Sequence, residues 1–402
     1  MSDFRISQVA ASPSMTEPSI SGSERKLDRP AVVLGARSIC KSFGRRAAAH
    51  QVLFDVDVDV YEGECLAVIG GSGSGKSTLT RIMLGLENAD GGTVEYRGTP
   101  VLRGGSGLRR LRHDSGLIYQ DPYGSLDPRW TVGDIVAEPL SLRRRGSRPD
   151  PAGIRENVHA ALERVGLDAG VFIDRYPMDL SGGQAQRTAL ARIMVSDPKL
   201  LLLDEPFSAL DAHLRDKLMI EMRDVLARFG REVIMVTHSR DEAYNMSREI
   251  AVMDGGKLLT KNKTKALFAD PGSVPAAILT GCKNIASAEK RGEHEVYIPE
   301  WGVTLTTAQS VGDDVKAIGI RAHYFNPTAP TNRFAVEYIE EMEEPFEWII
   351  EFRPRTAAAD AQGVWWRLSK DKRPQSFPAE LGIAPANILL LYLSLIHISE
   401  PT

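Results

Sequence analysis

The stretch that begins at Gly70 has residue types and spacing suited to binding a phosphate group. It reads Gly-Gly-Ser-Gly-Ser-Gly-Lys-Ser and matches G-x-x-x-x-G-K-[ST] at every fixed position. In such a loop the glycines let backbone N–H groups turn towards phosphate oxygens, Lys76 reaches the terminal phosphates, and Ser77 offers a hydroxyl to Mg²⁺. A flexible Gly/Ser linker is the alternative, but it would need neither the terminal Lys-Ser nor the buried strand and amphipathic helix on either side.

Two adjacent carboxylates, Asp204 and Glu205, follow the apolar run Leu200 to Leu203. A carboxylate at the end of a buried strand is costly unless it meets a cation or hydrogen-bond donors. The pattern predicts that Asp204 binds Mg²⁺ through water and that Glu205 is the general base for an attacking water; a solvated loop is the alternative. His238 ends the next apolar strand, and this position favours the same site over the packed core histidine that a lone His would indicate.

A third motif, Leu180-Ser181-Gly182-Gly183-Gln184, decides which phosphate-binding proteins the chain resembles. By itself it could be a helix start with Ser181 as N-cap. Together with the loop at Gly70, however, it makes Val32 to Asp270 resemble the ATP-binding cassette (ABC) ATPases, whose signature motif is LSGGQ. The resemblance implies an α/β P-loop NTPase cassette that hydrolyses ATP and uses Mg²⁺.

The resemblance also implies a role for each motif residue. The ATP-binding residues would be Phe43, which stacks on adenine, and Gly70, Gly71, Ser72, Gly73, Ser74, Gly75, Lys76, Ser77 and Thr78. The signature residues, which contact ATP on a second subunit, would be Ser181, Gly182, Gly183 and Gln184. The catalytic residues would be Glu205, the switch histidine His238 and the water-sensing Gln120. The Mg²⁺ ligands would be Ser77, Gln120 and Asp204. Asp211 would be the D-loop residue. In this family two subunits close head to tail over ATP, and hydrolysis releases them.

Apolar strands alternate with amphipathic helices in this part of the chain, which predicts a largely parallel sheet. Unbroken apolar runs are residues 65–69, 200–203 and 233–236, whereas residues 52–60 alternate, with Phe54, Val56, Val58 and Val60 on the buried face. Two helical faces are predicted, the first from Leu79, Ile82, Met83 and Leu86, the second from Leu214, Leu218, Met222, Val225, Leu226 and Phe229. Between about residues 121 and 195 the pattern is mostly helical, which predicts a helical subdomain inserted into the sheet domain.

After about Pro271 the pattern changes to short strand-like runs separated by Gly, Pro, Asp or Asn. These runs, at residues 295–298, 303–307, 315–320, 334–339, 348–352 and 364–368, predict a small barrel-like all-β domain or a sandwich. The organisation we expect is a disordered leader (1–30), an ABC ATPase domain (31–272), a β domain of the regulatory or oligobinding-like type (273–392) and a tail (393–402). The tail resembles a translated sequencing-adapter sequence, so we expect it to be artefactual.

The composition of the chain excludes some classes of function. The chain has 402 residues, a formal net charge of −4 and three widely spaced cysteines without metal-ligand spacing. The charge provides no basic field, which argues against a nucleic-acid partner. The longest apolar run, Ile388 to Leu393, is far shorter than the roughly 20 residues that cross a bilayer.

An ATPase of this kind must therefore deliver its work to other chains. The resemblance implies transmembrane permease subunits, a substrate-binding protein and a second ATPase subunit, identical or different. It also implies a peripheral position at the cytoplasmic face of the inner membrane.

The two halves of the chain resemble different importer ATPases. Residues 32 to about 179, above all YQDPYGSLDPR at residues 119–129, are similar to the ATPases of peptide and nickel importers. From Asp204 onward, DEPFSALD, THSRDEAY and TGCKNI resemble molybdate-type importer ATPases. The resemblance thus implies uptake of a small solute, either a peptide or nickel or a molybdate-like oxyanion, by a natural hybrid or by a join of two genes.

Two further classes of function remain open. A soluble ABC ATPase acting in translation or DNA repair usually carries two cassettes or a coiled-coil or zinc insertion, and this sequence contains one cassette. A regulatory binder, in which the β domain carries the activity, would show negligible ATP turnover.

Overall fold

The computed structural model describes residues 30–44, 49–118, 123–142, 150–208, 212–358 and 360–392. The predicted leader (apart from Pro30) and the predicted tail lie outside these ranges. The strands, in chain order, are β1 (Val32–Phe43), β2 (His50–Tyr61), β3 (Cys65–Gly70), β4 (Gly91–Tyr96), β5 (Thr99–Pro100), β6 (Ser115–Ile118), β7 (Leu200–Asp204), β8 (Glu232–Thr237), β9 (Glu249–Asp254), β10 (Lys257–Lys263), β11 (Asn284–Ser287), β12 (Glu289–Gly292), β13 (Glu295–Ile298), β14 (Val303–Thr306), β15 (Val315–Ile320), β16 (Phe334–Glu343), β17 (Glu347–Pro354), β18 (Val364–Ser369), β19 (Glu380–Leu381) and β20 (Ile388–Tyr392). The helices are α1 (Lys76–Met83), α2 (Ser106–Asp114), α3 (Val132–Ser141), α4 (Pro151–Arg164), α5 (Ala169–Phe172), α6 (Gly182–Met194), α7 (Ala212–Phe229), α8 (Arg240–Met246), α9 (Thr264–Ala269) and α10 (Val274–Leu279).

The central sheet of the described chain has the strand order β10-β9-β3-β8-β7-β6. Neighbours from β9 to β6 run parallel, and only the edge strand β10 is antiparallel to its neighbour. Leu201 and Leu203 of β7 pack in a core with the helices α3 to α7, whereas Leu200 and Leu202 pack on the opposite face with α1 and the antiparallel sheet. Because both faces are covered, the strands are apolar without alternation. The predicted largely parallel sheet is confirmed.

The second sheet is antiparallel, with the order β2-β1-β4-β5. The alternation predicted for β2 is correct from Val56 to Val60 but wrong at Phe54, which is 37% exposed, while Leu53 is buried instead. The register with β1 shifts at this point, and Asp55 has a positive φ of 51°. An irregularity of one residue moves the preceding side chains to the other face of the sheet.

Helix α1 is shorter than the apolar periodicity predicts. Leu79, Ile82 and Met83 are buried as expected, but the helix ends at Met83. Gly85 adopts a φ of +65°, a left-handed conformation that stops a helix, and Leu86 is 48% exposed. The prediction that Leu86 belongs to the buried face is therefore wrong.

Helices α3 to α6 fill most of the described chain between Val132 and Met194, as the sequence pattern predicts. The buried face of α7 is confirmed for Leu218, Met222, Val225, Leu226 and Phe229, and the Leu214 side chain lies outside the described part. No helix within the described ranges is both long and apolar enough to span a membrane.

The C-terminal region is β-rich. Its strands form sheets with the orders β11-β15-β20, β12-β13-β14 and β18-β17-β16-β19, and their inward side chains share one core. All six predicted runs are strands, and β11, β12, β19 and β20 are additional. The predicted α/β domain followed by a β-rich domain is therefore confirmed.

Arg321 joins the β-rich region to the helices that precede it. Its Nη1 donates to the Thr280 carbonyl at 2.6 Å and its Nη2 to the Phe268 carbonyl at 2.5 Å. Phe268 lies in the last turn of α9 and Thr280 caps α10, positions whose carbonyls have no partner within a helix. The described residues from Val32 to Tyr392 form one compact unit.

Glu64, just before β3, is a buried carboxylate with a shifted pKa. Its Oε1 lies 2.7 Å from the Lys261 ammonium, and its Oε2 accepts the Tyr61 N–H at 2.7 Å. Burial raises the pKa of Glu64 to about 7, although Lys261 acts to lower it. Protonation of this group should therefore contribute to the pH dependence of stability.

We expect Glu64→Gln to change that pH dependence. Between the ordinary pKa of 4.5 and the folded value of about 7, the folded state binds more protons than the unfolded state, so the free energy of unfolding falls as pH rises. The variant lacks this titration, and its free energy of unfolding relative to wild type should rise by about 2 kcal/mol from pH 5 to pH 8. Urea unfolding at both pH values measures the change, with the exposed Glu62→Gln as control. Equal pH dependence in wild type and Glu64→Gln would contradict the expectation.

Candidate functional site

The loop between β3 and α1 is packed so closely at its two ends that Gly70 and Gly75 cannot be replaced without displacing their neighbours. At Gly70, an added Cβ would lie 2.3 Å from the Met253 carbonyl oxygen and 2.6 Å from the Ser74 hydroxyl oxygen. Gly75 precedes α1 with a φ of +94°, and a Cβ there would lie 2.6 Å from a methyl of Leu53. The tip of the loop between these glycines is exposed. Contacts with β2 and β9 thus hold the two ends of the loop, and its tip is open to a ligand.

Lys76, the first residue of α1, folds back over this loop. Its Nζ donates to the carbonyls of Gly70 at 3.0 Å and Gly71 at 2.8 Å, and the residue is 6% exposed. Burial lowers the pKa of Lys76, while the carboxylates of Glu205 and Asp204 act to raise it. Burial disfavours the charged form of this ammonium, and a polyanionic ligand at the mouth of the loop would favour it. The site is therefore suited to a ligand with several phosphates.

Ser77 and Asp204 lie side by side at the carboxyl end of the parallel sheet. The Ser77 hydroxyl donates to Asp204 Oδ1 at 3.4 Å, a long contact that leaves the carboxylate open to another partner. Burial raises the pKa of Asp204, and Arg81 acts to lower it. A hydroxyl and a carboxylate are oxygen ligands of the kind Mg²⁺ takes, so these two residues fit the metal that the sequence implies. Gln120, the third predicted ligand, lies outside the described residues.

Glu205 adopts a strained backbone next to this pair. Its φ is +48°, a left-handed conformation that residues other than glycine seldom adopt. Its N–H donates to the Val236 carbonyl at 2.9 Å, and its own carbonyl accepts the Ser208 hydroxyl at 2.9 Å. The carboxylate Oε2 lies 3.3 Å from His238 Nδ1. The turn therefore directs a carboxylate and an imidazole towards each other beside the phosphate loop, a pairing suited to general-base chemistry on water.

A buried support behind His238 escaped sequence reasoning. Glu242 is 4% exposed and accepts the Thr237 hydroxyl at 2.5 Å, while Ser239 caps the helix that carries it. Burial raises the pKa of Glu242, and the Thr237 hydrogen bond acts to lower it. The sequence signal for this support was the pair of polar residues, Thr237 and Glu242, on either side of His238. Its effect is to fix the backbone from which His238 projects.

Phe43 lies at the end of β1, away from the loop in sequence. The residue is 46% exposed, and the Lys41 ammonium lies 5.1 Å from the centre of its ring. Lys41 is itself held by the Glu87 carboxylate at 2.7 Å and the Asn88 carbonyl at 2.7 Å. One face of the ring is thus backed by a fixed cation, an arrangement suited to stacking on a flat base.

The signature residues form the N-terminus of α6. Ser181 is the N-cap, its hydroxyl accepts the Gln184 N–H at 3.4 Å, and the Gln184 side chain accepts the Ser181 N–H at 2.9 Å. At Gly183, an added Cβ would lie 2.7 Å from a methyl of Leu218 in α7. Within the described residues, no hydrogen bond or ion pair joins this motif to the cluster around Lys76.

The structure thus brings together some of the predicted site residues. Lys76, Ser77, Asp204, Glu205 and His238 form one cluster at the carboxyl end of the parallel sheet. Phe43 and the signature lie in other elements, and Asp211, like Gln120, falls outside the described ranges. A phosphate loop followed by a paired acid and base on neighbouring parallel strands defines a P-loop ATPase.

Comparison with known proteins narrows this class. A family model described as ABC transporter matches residues 53–208. The sulfate/thiosulfate import ATP-binding protein CysA 2 of Chromobacterium violaceum is 35% identical over 70% of this chain and 71% of its own length. The corresponding CysA of Halalkalibacterium halodurans is 32% identical over 76% of this chain and 82% of its own length. The chain belongs to the ATP-binding proteins of the ABC transporter family, and its cassette is an ATPase.

Solved structures agree with this assignment. The ATP-binding cassette MJ0796, as a dimer in a post-hydrolysis state bound to ADP and phosphate, has a TM-score of 0.51 and 27% identity. It covers 57% of this chain and 98% of its own length. CbiO1 from Clostridium perfringens, part of the ABC transporter complex cbiONQ, has a TM-score of 0.53 and 26% identity over 60% of this chain and 92% of its own.

Proposed function

We propose that this protein is the ATP-binding and ATP-hydrolysing subunit of an ABC importer and that it works as a dimer at the cytoplasmic face of the inner membrane. The observation that carries the proposal is the contact between Glu205 and His238 beside the Ser77–Asp204 pair and Lys76. These groups provide a phosphate-binding cation and a base for water in one site. The dimeric state of a related cassette supports a second ATPase subunit.

Each residue of the cluster would have a separate task in hydrolysis. Lys76 and the N–H groups of the loop would bind the β- and γ-phosphates, and Phe43 would stack on adenine. Glu205 would accept the proton of the attacking water, and His238 would hold its carboxylate in place. Ser181 and the glycines at the start of α6 would bind the γ-phosphate on a second subunit, since a helix N-terminus favours an anion.

The metal that fits the site would be held by Ser77, Asp204 and Gln120. Mg²⁺ bound there would neutralise charge on the phosphates. The oxygens of these side chains lie beside each other because Asp204 ends a buried strand and Ser77 lies in the first turn of the neighbouring helix α1.

A cleft beside the helical region would bind the permease. It has a volume of about 600 Å³ and lies between the edge strand β6 and the helices α3 and α6. Its lining includes Gly116, Pro139, Ala189, Ile193 and Ser196, which present both apolar and polar surface. Its lining also includes Ile118 and Gly124, which precede and follow the segment that contains Gln120 in the sequence.

The proposal predicts that membrane subunits stimulate ATP hydrolysis through this cleft. Co-purified permease subunits of the sulfate importer type, with a loaded binding protein, should raise turnover several-fold. Ser196→Trp should fill the cleft and abolish the stimulation but keep the basal rate, whereas Ala160→Trp on the exposed face of α4 should leave both unchanged. Stimulation that survives Ser196→Trp would overturn the docking site. Stimulation by ribosomes or DNA instead of membrane subunits would favour the alternative of a soluble ATPase in translation or repair.

The transported solute would be a small oxyanion. The similar proteins are named for sulfate and thiosulfate import. These names lie closer to the molybdate-like reading of the sequence than to peptide or nickel uptake. In the same assembly, binding proteins loaded with sulfate, molybdate, nickel or peptide can be compared, and the proposal expects the tetrahedral oxyanions to stimulate hydrolysis most.

A further inference from the structure

Gln186 is a buried polar residue on the signature helix, two positions after the motif. It is 0% exposed, and its Nε2 donates to the carbonyl oxygen of Pro206 at 2.8 Å. Its Oε1 has no hydrogen-bond partner in the part of the chain that the structure describes. A buried amide oxygen without a partner costs free energy, so packing alone would be better served by Met or Leu. The bond to Pro206 is the feature that an apolar side chain could not supply.

Pro206 immediately follows Glu205, whose backbone is strained. The turn is held on the strand side by the Glu205 N–H bond to Val236 and internally by Ser208. The Gln186 amide supplies a third attachment, and it comes from α6, not from the sheet. A left-handed residue persists only where its surroundings hold it, so each attachment contributes to the direction of the Glu205 carboxylate.

We infer that Gln186 is a positioning residue that fixes the Glu205 turn to the signature helix. The inference rests on the proposed function, because it requires Glu205 to be the base. Gln186 would not touch ATP or water. Since the N-terminus of α6 is proposed to bind the ATP of a second subunit, Gln186 makes the orientation of the base in one site depend on the helix that serves the other site.

Gln186→Met in the full chain tests the inference. Met has a similar volume and removes the unpartnered oxygen, which offsets the loss of the donor to the Pro206 carbonyl, so the melting temperature should change little. We expect kcat for ATP hydrolysis to fall about tenfold while KM changes less than about twofold. The control is Thr188→Val, because Thr188 is equally buried on α6 but its hydroxyl donates to Gln184 within the helix; this variant should keep the wild-type kcat.

Gln186→Glu adds a readout that a packing role would not affect. Only the protonated carboxyl can donate to the Pro206 carbonyl, so kcat relative to wild type should rise as pH falls, whereas the Met variant should show no such recovery. Wild-type kcat in Gln186→Met, a joint change of kcat, KM and melting temperature, or a pH-independent Glu variant would each overturn the inference. Failure of the proposed function has a different result, since Glu205→Gln would then hydrolyse ATP at the wild-type rate.

Discussion

Glu205→Gln should reduce ATP hydrolysis by roughly 10²- to 10⁴-fold, the usual contribution of a general base. The amide keeps the size of the side chain but cannot accept the proton of water. ATP affinity should be unchanged, because Lys76 and the phosphate loop are untouched. Steady-state hydrolysis and equilibrium binding of a fluorescent ATP analogue measure the two quantities.

The control for this variant is Glu156→Gln, on the exposed face of α4 and remote in sequence from the site. It should hydrolyse ATP at the wild-type rate. A Glu205→Gln protein with normal turnover would remove Glu205 from the mechanism, and a loss of ATP binding would mean that the substitution disturbs the loop instead of the chemistry.

Lys76→Met should weaken ATP binding about 10²-fold and reduce hydrolysis at least as much. The ammonium is the buried cation at the mouth of the loop, and charge-assisted hydrogen bonds to phosphate oxygens contribute about 3 kcal/mol together. Binding of AMP, which has no β- or γ-phosphate, should change little. Isothermal titration with ATP and AMP separates these expectations.

Met fits the space of the lysine stem, so the fold should be retained, and the melting temperature checks this. Lys217→Met, at an exposed position of α7, serves as the matched control. Equal loss of affinity for ATP and AMP would contradict a specific role of Lys76 at the terminal phosphates.

Sequence reasoning succeeded where one local pattern decides the structure. The apolar runs of β3, β7 and β8 identified buried parallel strands, and the short strand-like runs after Pro271 identified the β-rich region. It failed where a single residue changes the phase of a pattern. The irregularity at Asp55 exposes Phe54, and the left-handed Gly85 ends α1 before Leu86.

The candidate site shows the same limit. The motifs gave Lys76, Ser77, Asp204, Glu205 and His238, because spacing along the chain is enough to find them. The supports of these residues come from contacts between distant elements, which spacing does not encode. Gln186 and Glu242 are polar residues on buried faces, and only the fold reveals that they hold the backbone beside Glu205 and His238.

The Arg321 contact also bears on how this protein can be dissected. Its guanidinium closes the ends of α9 and α10, and Ala277 and Cys282 pack on Ala317, Leu389 and Leu391 of the β-rich region. A fragment that stops near residue 272 would lose α10 together with these contacts. A fragment that stops near residue 283 would leave the carbonyls of Phe268 and Thr280 without Arg321 and would expose the apolar side chains of Ala277 and Cys282. The ATPase part is therefore not expected to be soluble without the β-rich region. Low solubility of a truncated fragment would reflect the loss of these contacts and would say nothing about the ATP site.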